Sequence, residues 1–169
     1  MNTENHINGR LTVRALEEML NRDAFDFKCK RCGNCCRGGG NVYFSATDLR
    51  NIFKYLKLSK AESMSLAGKL VQHKLNGYFV HSSGRACHFL GVNNRCAVYP
   101  VRPLQCRTFP FWPSYFQSKD DVSDLKQECR GSLTGRGEEF TLLSTLRRIN
   151  RTHREFLKPQ SDKTRPITL

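Results

Sequence analysis

Four cysteines fall within eight residues, Cys29-Lys-Arg-Cys32-Gly-Asn-Cys35-Cys36, and four more follow at Cys87, Cys96, Cys106 and Cys129. A two-residue gap lets both sulfurs of a pair turn toward one cation. Two such gaps in succession present three sulfurs from one knuckle, and the adjacent Cys36 adds a fourth. Soft thiolates select zinc or iron–sulfur clusters over hard cations. The loops that carry these cysteines hold few aliphatic residues of their own, so metal binding is expected to contribute their folding free energy.

The compartment bears on that reading. The N-terminal stretch Met1-Asn-Thr-Glu-Asn-His-Ile-Asn-Gly-Arg10 lacks the apolar core of a secretory signal. Mean hydropathy is −0.55, and no apolar run approaches the roughly 20 residues that span a bilayer. A soluble cytoplasmic protein with no membrane partner is expected, and there thiols stay reduced and cysteine clusters point to metal or redox chemistry. Disulfides are the competing reading, since eight cysteines in 169 residues resemble a secreted scaffold. Against them stand the missing leader and the neighbours Cys35 and Cys36, which are poorly placed to bridge each other. Unligated thiols are the third reading.

The formal charge is +13, from 28 basic and 15 acidic side chains. Eight thiolates and two divalent ions would lower +13 to +9, so weak attraction to nucleic acid or another acidic partner is expected in either state. Arg147, Arg148, Arg151, Arg154, Lys158, Lys163 and Arg165 concentrate that charge near the C-terminus. They read either as a solvated helix face with a charged tail or as a footprint for a polyanion.

The length suits one α+β domain, helix-rich, over residues 1–157, with short β segments and irregular cysteine-bearing loops organised around metal. Residues 158–169 read as a disordered basic tail. Hydrophobic spacing predicts a helix over Val13–Asn21 capped by Thr12, with Leu16, Met19 and Leu20 facing inward. Ala24–Phe27 and Val42–Phe44 read as extended. Gly38–Gly40 reads equally as a sharp turn closing the knuckle or as a flexible linker. Ser45 with Asp48, and Ser59 with Glu62, signal the starts of two further helices. The first carries Leu49, Ile52, Phe53 and Leu56 inward, and the second Met64, Ala67, Leu70 and Val71. Tyr78–His81, Cys87–Leu90 and Cys96–Tyr99 are short and β-prone, with turns at Ser83-Gly84 and Asn93-Asn94. Pro100, Pro103, Pro110 and Pro113 leave room for a single helical turn. A last helix is predicted over Glu138–Leu157, its stripe formed by Leu142, Leu146, Ile149, His153 and Phe156.

The cysteines keep company with other recurring residues. Cys87-His-Phe-Leu90 is followed by Cys96-Ala-Val-Tyr99-Pro-Val-Arg102-Pro103-Leu-Gln-Cys106-Arg107-Thr-Phe109-Pro110. With the knuckle, these residues resemble the YkgJ-like cysteine-cluster family of zinc- or iron-chelating domains. Its pattern is C-x-x-C-x-x-C-C, then C-x-F-L, then C-x-[IV]-Y-x-x-R-P-x-x-C-R-x-F-P. Every fixed letter is met, and the motif core extends over residues 29–131. Family members often continue with C-P-G; here the triplet is Cys129-Arg130-Gly131, without the proline. The flagellin lysine N-methylases carry a similar cysteine motif within a much longer chain.

The resemblance implies a metal-binding protein whose ligands are Cys29, Cys32, Cys35, Cys36, Cys87, Cys96, Cys106 and Cys129. One or two sites would hold an iron–sulfur cluster or Zn2+. A three-cysteine knuckle with remote cysteines inclines toward the cluster. Arg102, Pro103 and Arg107 lie between and beside ligands, where guanidinium groups can donate to sulfur or to a bound anion. Tyr99, Phe89, Phe109, Phe111 and Trp112 are expected to wall the site. His88 could replace a thiol but reads better as a packed or solvent-facing histidine. An iron–sulfur enzyme or accessory factor in protein modification, and a zinc-stabilised nucleic-acid-binding module, are the alternative functions. No phosphate loop, HExxH or G-x-S-x-G motif is present.

Overall fold

Helix α1 (Val13–Leu20) begins where Thr12 accepts a hydrogen bond from the Ala15 N–H, and it ends at Asn21 in the left-handed region. Its apolar stripe buries Ala15, Leu16, Met19 and Leu20. The computed structural model to which this helix belongs describes residues 6–7, 10–37, 40–71, 73–75, 78–83 and 86–157. The turn at Gly84, the glycines 38 and 39 and the basic tail lie outside them, as do the side chains of His153 and Phe156. The architecture is α+β, divided into two compact units, residues 1–32 with 108–154 and residues 33–107 with 155–169.

In the first unit the short strands β1 (His6–Ile7) and β2 (Arg10–Leu11) pair with each other. Strand β3 (Ala24–Phe27) follows α1 and points Phe25 into the core. Phe25 packs edge-on against Phe116, with ring centroids 5.8 Å apart, and tilted against Phe111 at 5.4 Å. Leu16, Leu125, Phe140 and Ile149 complete the same cluster. Each such side chain, fully buried, contributes roughly 1.5–3 kcal/mol.

The second unit is built from β4 (Gly40–Phe44), α2 (Ala46–Tyr55), α3 (Lys60–Leu70), β5 (His73–Leu75), β6 (Tyr78–Ser83) and α4 (Leu104–Thr108). Both predicted capping boxes are present. Ser45 accepts from the Asp48 N–H while Asp48 accepts from the Ser45 N–H, and Ser59 and Glu62 repeat the exchange. Antiparallel pairing orders the sheet β4-β6-β5 and leaves β4 on an edge. Phe44, Leu49, Ile52, Leu70, Phe89 and Val98 form its core.

Several expectations are corrected. Met64 is 66% exposed, and the half-buried Leu66 packs on the core beside Ala67 and Leu70 instead. Glu138–Thr141 is not helical but forms strand β7, paired with β3 in the register Phe25 to Phe140. Helix α6 therefore starts at Leu142 and runs to Leu157, with Thr141 accepting from the Ser144 N–H. Cys87–Leu90 and Cys96–Tyr99 are not strands. The loop between them closes through Asn94 N–H to Gly91 O and Gly91 N–H to Arg95 O. Only one bridge, between Leu90 and Cys96, fits across so tight a turn.

The proline stretch holds three short helical segments, Tyr99–Val101, Leu104–Thr108 and Pro113–Phe116. Prolines occupy or precede their first turns, where a missing N–H costs little. Helix α5 (Lys119–Glu128) was not anticipated, although Ser118 caps it and Val122 and Leu125 face inward. Among the described residues, no helix is long and apolar enough to cross a membrane.

Asp26 ties the first unit together. Its buried carboxylate accepts from the Thr134 N–H at 3.0 Å, the Thr134 hydroxyl at 3.2 Å and the Gly137 N–H at 3.3 Å, with Arg22 at 3.1 Å. Burial pushes this carboxyl up, but hydrogen bonds from Gly135, Thr134 and Gly137 together outweigh it and leave its pKa lowered. A carboxyl lowered on folding stabilises the protein above its unfolded value, and that stability is lost as pH falls through the folded value. Asp26→Asn is expected to cost about 1–3 kcal/mol at pH 7, and the cost should shrink as pH falls below the unfolded carboxyl's value of about 4 toward the lower folded value. Urea unfolding at pH 7 and pH 3 checks this, and equal losses at both would count against the charged role.

Candidate metal centre

The second unit gathers Cys35, Cys36, Cys87, Cys96 and Cys106. Gly33 turns the chain in the left-handed region, at φ 77°, immediately before a single 3-10 turn, Asn34–Cys36. A side chain at Gly33 would be strained there and would press on Asn94 O and the Leu90 side chain. The Cys36 N–H bonds Gly33 O at 3.0 Å, and Cys36 O accepts from the Cys87 N–H at 2.8 Å. That second bond joins the knuckle to the loop carrying Cys87. The Ala97 N–H to Phe89 O bond and the Leu90–Cys96 bridge then bring Cys96 back alongside. Cys87 and Cys96 pack against the apolar core whose centre includes Phe44 and Phe89. The fifth thiol, Cys106, rides on α4, and the buried Pro103 precedes that helix.

The thiols act on one another electrically. The Cys36 thiol is hydrogen-bonded with both Cys35 and Cys87, which lowers each of those two to about 7. The same bonds, with burial, push Cys36 itself strongly upward. Burial raises Cys96. It pushes Cys106 up to about 12, with the charges of Cys87, Cys35 and Cys96 adding to the rise. The Arg102 charge opposes these increases at Cys96 and Cys106 and helps lower Cys35. Its guanidinium lies 3.6 Å from the centre of the Tyr99 ring, and its Nε donates to Tyr99 O at 2.8 Å. Arg107 has a different partner, the buried carboxylate of Asp48 at 3.7 Å.

Cys29, Cys32 and Cys129 belong to the first unit. Cys129 is buried in its core, at the C-terminal end of α5. The Lys28 N–H donates to Gly131 O at 2.9 Å, and Phe27 bridges Ser132 in antiparallel sense. The chain after Cys129 thus runs back along the segment that leads into Cys29. A Cβ on Gly131 would lie 2.1 Å from Lys28 O. The glycine of the Cys129-Arg130-Gly131 triplet is therefore required by backbone contact, while the position of the missing proline tolerates Arg130.

None of the eight cysteines is in a disulfide. Among the described residues, no three His, Cys, Asp or Glu side chains stand close enough to grip an ion together. The donor chemistry nevertheless fits a soft cation, since five sulfurs influence one another's protonation and two of them, Cys87 and Cys96, pack on one apolar core. The expected aromatic wall divides between the units. Phe89 and Tyr99 lie in the second, whereas Phe111 is core to the first and Phe109 and Trp112 pack with Tyr115 there. His88 is exposed and meets Phe89 edge-on. On α6, Arg147, Arg148 and Arg151 are all exposed, and Arg148 also lies over the Phe111 and Phe140 rings, 4.5 Å from the latter's centre. Sequence reasoning missed Asp48 as a neighbour of α4 and Gln105 as the residue of α4 that reaches β4. Gln105 contacts backbone 62 and 64 residues away, and no local pattern announces such a contact.

The chain is an α+β protein whose irregular loops carry thiols of the kind that suits a soft cation. The chain belongs to the CxxCxxCC family, described as "Putative zinc- or iron-chelating domain", whose model matches residues 28–130. An uncharacterized protein of Methanocaldococcus jannaschii is 31% identical over 119 residues, which is 66% of this chain and 61% of that relative. The chain thus spans about three fifths of that relative's length. No solved structure matches it.

In the reduced, metal-free protein, Cys35 and Cys87 are expected to alkylate with a midpoint near pH 7, and Cys106 to stay largely unreacted below pH 10. Cys36→Ala should move the first two midpoints upward. Mass spectrometry of iodoacetamide-treated protein across pH checks this, and equal rates at all three thiols would refute it.

Proposed function

We propose that this protein chelates a thiophilic metal group through Cys35, Cys36, Cys87, Cys96 and Cys106 in the second unit. Cys29, Cys32 and Cys129, which lie in the first unit, join the ligand set on the strength of the family pattern that they complete. The observation that carries this reading is the match of the chelating-domain family over residues 28–130, which takes in all eight cysteines; beside it, Cys36 in the second unit hydrogen-bonds with Cys35 and Cys87, near the charge of Arg102. Such a group holds several ionisable sulfurs that cannot all be charged without a cation.

Of the two groups compatible with the family, we adopt an iron–sulfur cluster, because C-x-x-C-x-x-C followed by remote cysteines is a cluster ligand order. When bound, a cluster supplies electron transfer, whereas zinc would close the loops structurally. Arg102 compensates thiolate charge in either case, and Pro103 stiffens the approach to Cys106. Arg107 orients α4 through Asp48.

Protein purified without oxygen is expected to contain iron and acid-labile sulfide in matching amounts, with visible absorption. Cys87→Ser should lower bound metal by half or more and reduce thermal stability. Zinc without sulfide would overturn the cluster and leave chelation standing. Neither metal, in fully reduced and folded protein offered both, would overturn chelation itself.

A further inference from the structure

Helix α4 has five residues, too few to hold its own shape in water. It nevertheless carries Cys106, and a thiolate ligand must be placed within a few tenths of an ångström to meet a metal. Something outside the helix must therefore fix it. The side-chain amide of Gln105 makes two hydrogen bonds to the backbone of β4. Its Oε1 accepts from the Tyr43 N–H at 3.0 Å, and its Nε2 donates to Asn41 O at 3.1 Å.

Residues two apart on a strand turn their backbone groups to the same side. β4 gives its other side to β6. The Gln105 amide thus occupies the open edge much as the peptide of a further strand would, with one donor and one acceptor in register. A second side-chain tie on α4 is weaker. Arg107 reaches Asp48 at 3.7 Å, and its own side chain is 52% exposed, so water screens the pair.

We propose that Gln105 is a positioning residue for the metal centre: by clamping the edge of β4 at Asn41 and Tyr43, it sets where the adjacent Cys106 presents its sulfur. The inference rests on Cys106 being a ligand, as proposed above. Gln105 occupies an unspecified position of the cysteine motif, so the motif does not assign it this role. The clamp needs both an acceptor and a donor at the end of a side chain of this length. Glutamate keeps the acceptor toward Tyr43 and loses the donor toward Asn41, and alanine loses both.

Cobalt(II) titration of the full chain under reducing conditions tests this, read by thiolate-to-cobalt charge-transfer absorption and by competition for affinity. Gln105→Ala is expected to weaken cobalt binding about 10- to 100-fold and to lower the charge-transfer intensity to that of Cys106→Ser. Gln105→Glu should fall between alanine and wild type, and it decides the matter if the alanine variant does not fold. In a Cys106→Ser background, Gln105→Ala should cost nothing further, because its effect passes through that sulfur. A full additional loss in that background would show a general structural role and overturn the proposal. Wild-type affinity and spectrum in Gln105→Ala, beside impaired Cys106→Ser, would overturn the clamp and leave chelation intact. Cobalt bound normally by Cys106→Ser would remove Cys106 from the ligand set, and the clamp with it.

Discussion

Sulfurs held together at the edge of an apolar core cannot all carry charge, because each thiolate raises the cost of the next and burial raises the cost of all of them. The local structure of the second unit answers to that constraint. Cys36 hydrogen-bonds to its neighbours on either side, Cys35 and Cys87, and is itself pushed far from ionising. Arg102 supplies positive charge from a position set by the Tyr99 ring and carbonyl. These devices relieve the repulsion partly, and a cation would relieve it fully. A soft cation held there would couple its own binding to the stability of these loops.

The backbone brings the sulfurs to that edge with little regular structure. One hydrogen bond from the Cys87 N–H to Cys36 O joins segments 51 residues apart in the chain. One isolated bridge returns Cys96 beside Leu90. A five-residue helix delivers Cys106. Phe44, Phe89 and Val98 beneath them provide the dry surface on which so few bonds suffice. In the first unit the same economy applies at Cys129, where Gly131 lets the returning chain touch Lys28, and the Asp26 carboxylate gathers the loop that follows.

Much of the helical framework was legible because it is signalled locally. Thr12, Ser45 and Ser59 each cap the helix they were expected to cap, and Leu16, Leu49, Ile52 and Leu70 face inward as their spacing requires. Legibility failed where a partner outside the segment decided the outcome. Glu138–Thr141 carries no strong strand signal and became β7 because β3 offered it a complete set of hydrogen bonds. Met64 has the right spacing for the core but finds no partner surface there, and Leu66 packs on it instead. Phe109, Phe111 and Trp112 adjoin Cys106 in sequence, yet they pack with Tyr115, Phe25 and Phe140 in the first unit.

The sequence by itself determined the donor chemistry and its family, since sulfur type and spacing do not depend on how the chain folds. It also determined most helix starts, because a cap is an interaction across three residues. Tertiary structure alone decided how Cys35, Cys36, Cys87, Cys96 and Cys106 come to share one electrostatic neighbourhood, and that Arg102 compensates them while Arg107 turns to Asp48. It likewise decided that a glutamine beside Cys106 reaches the edge of β4. Such pairings join residues tens of positions apart, and their energies depend on distance and burial, which exist only once the chain has closed on itself.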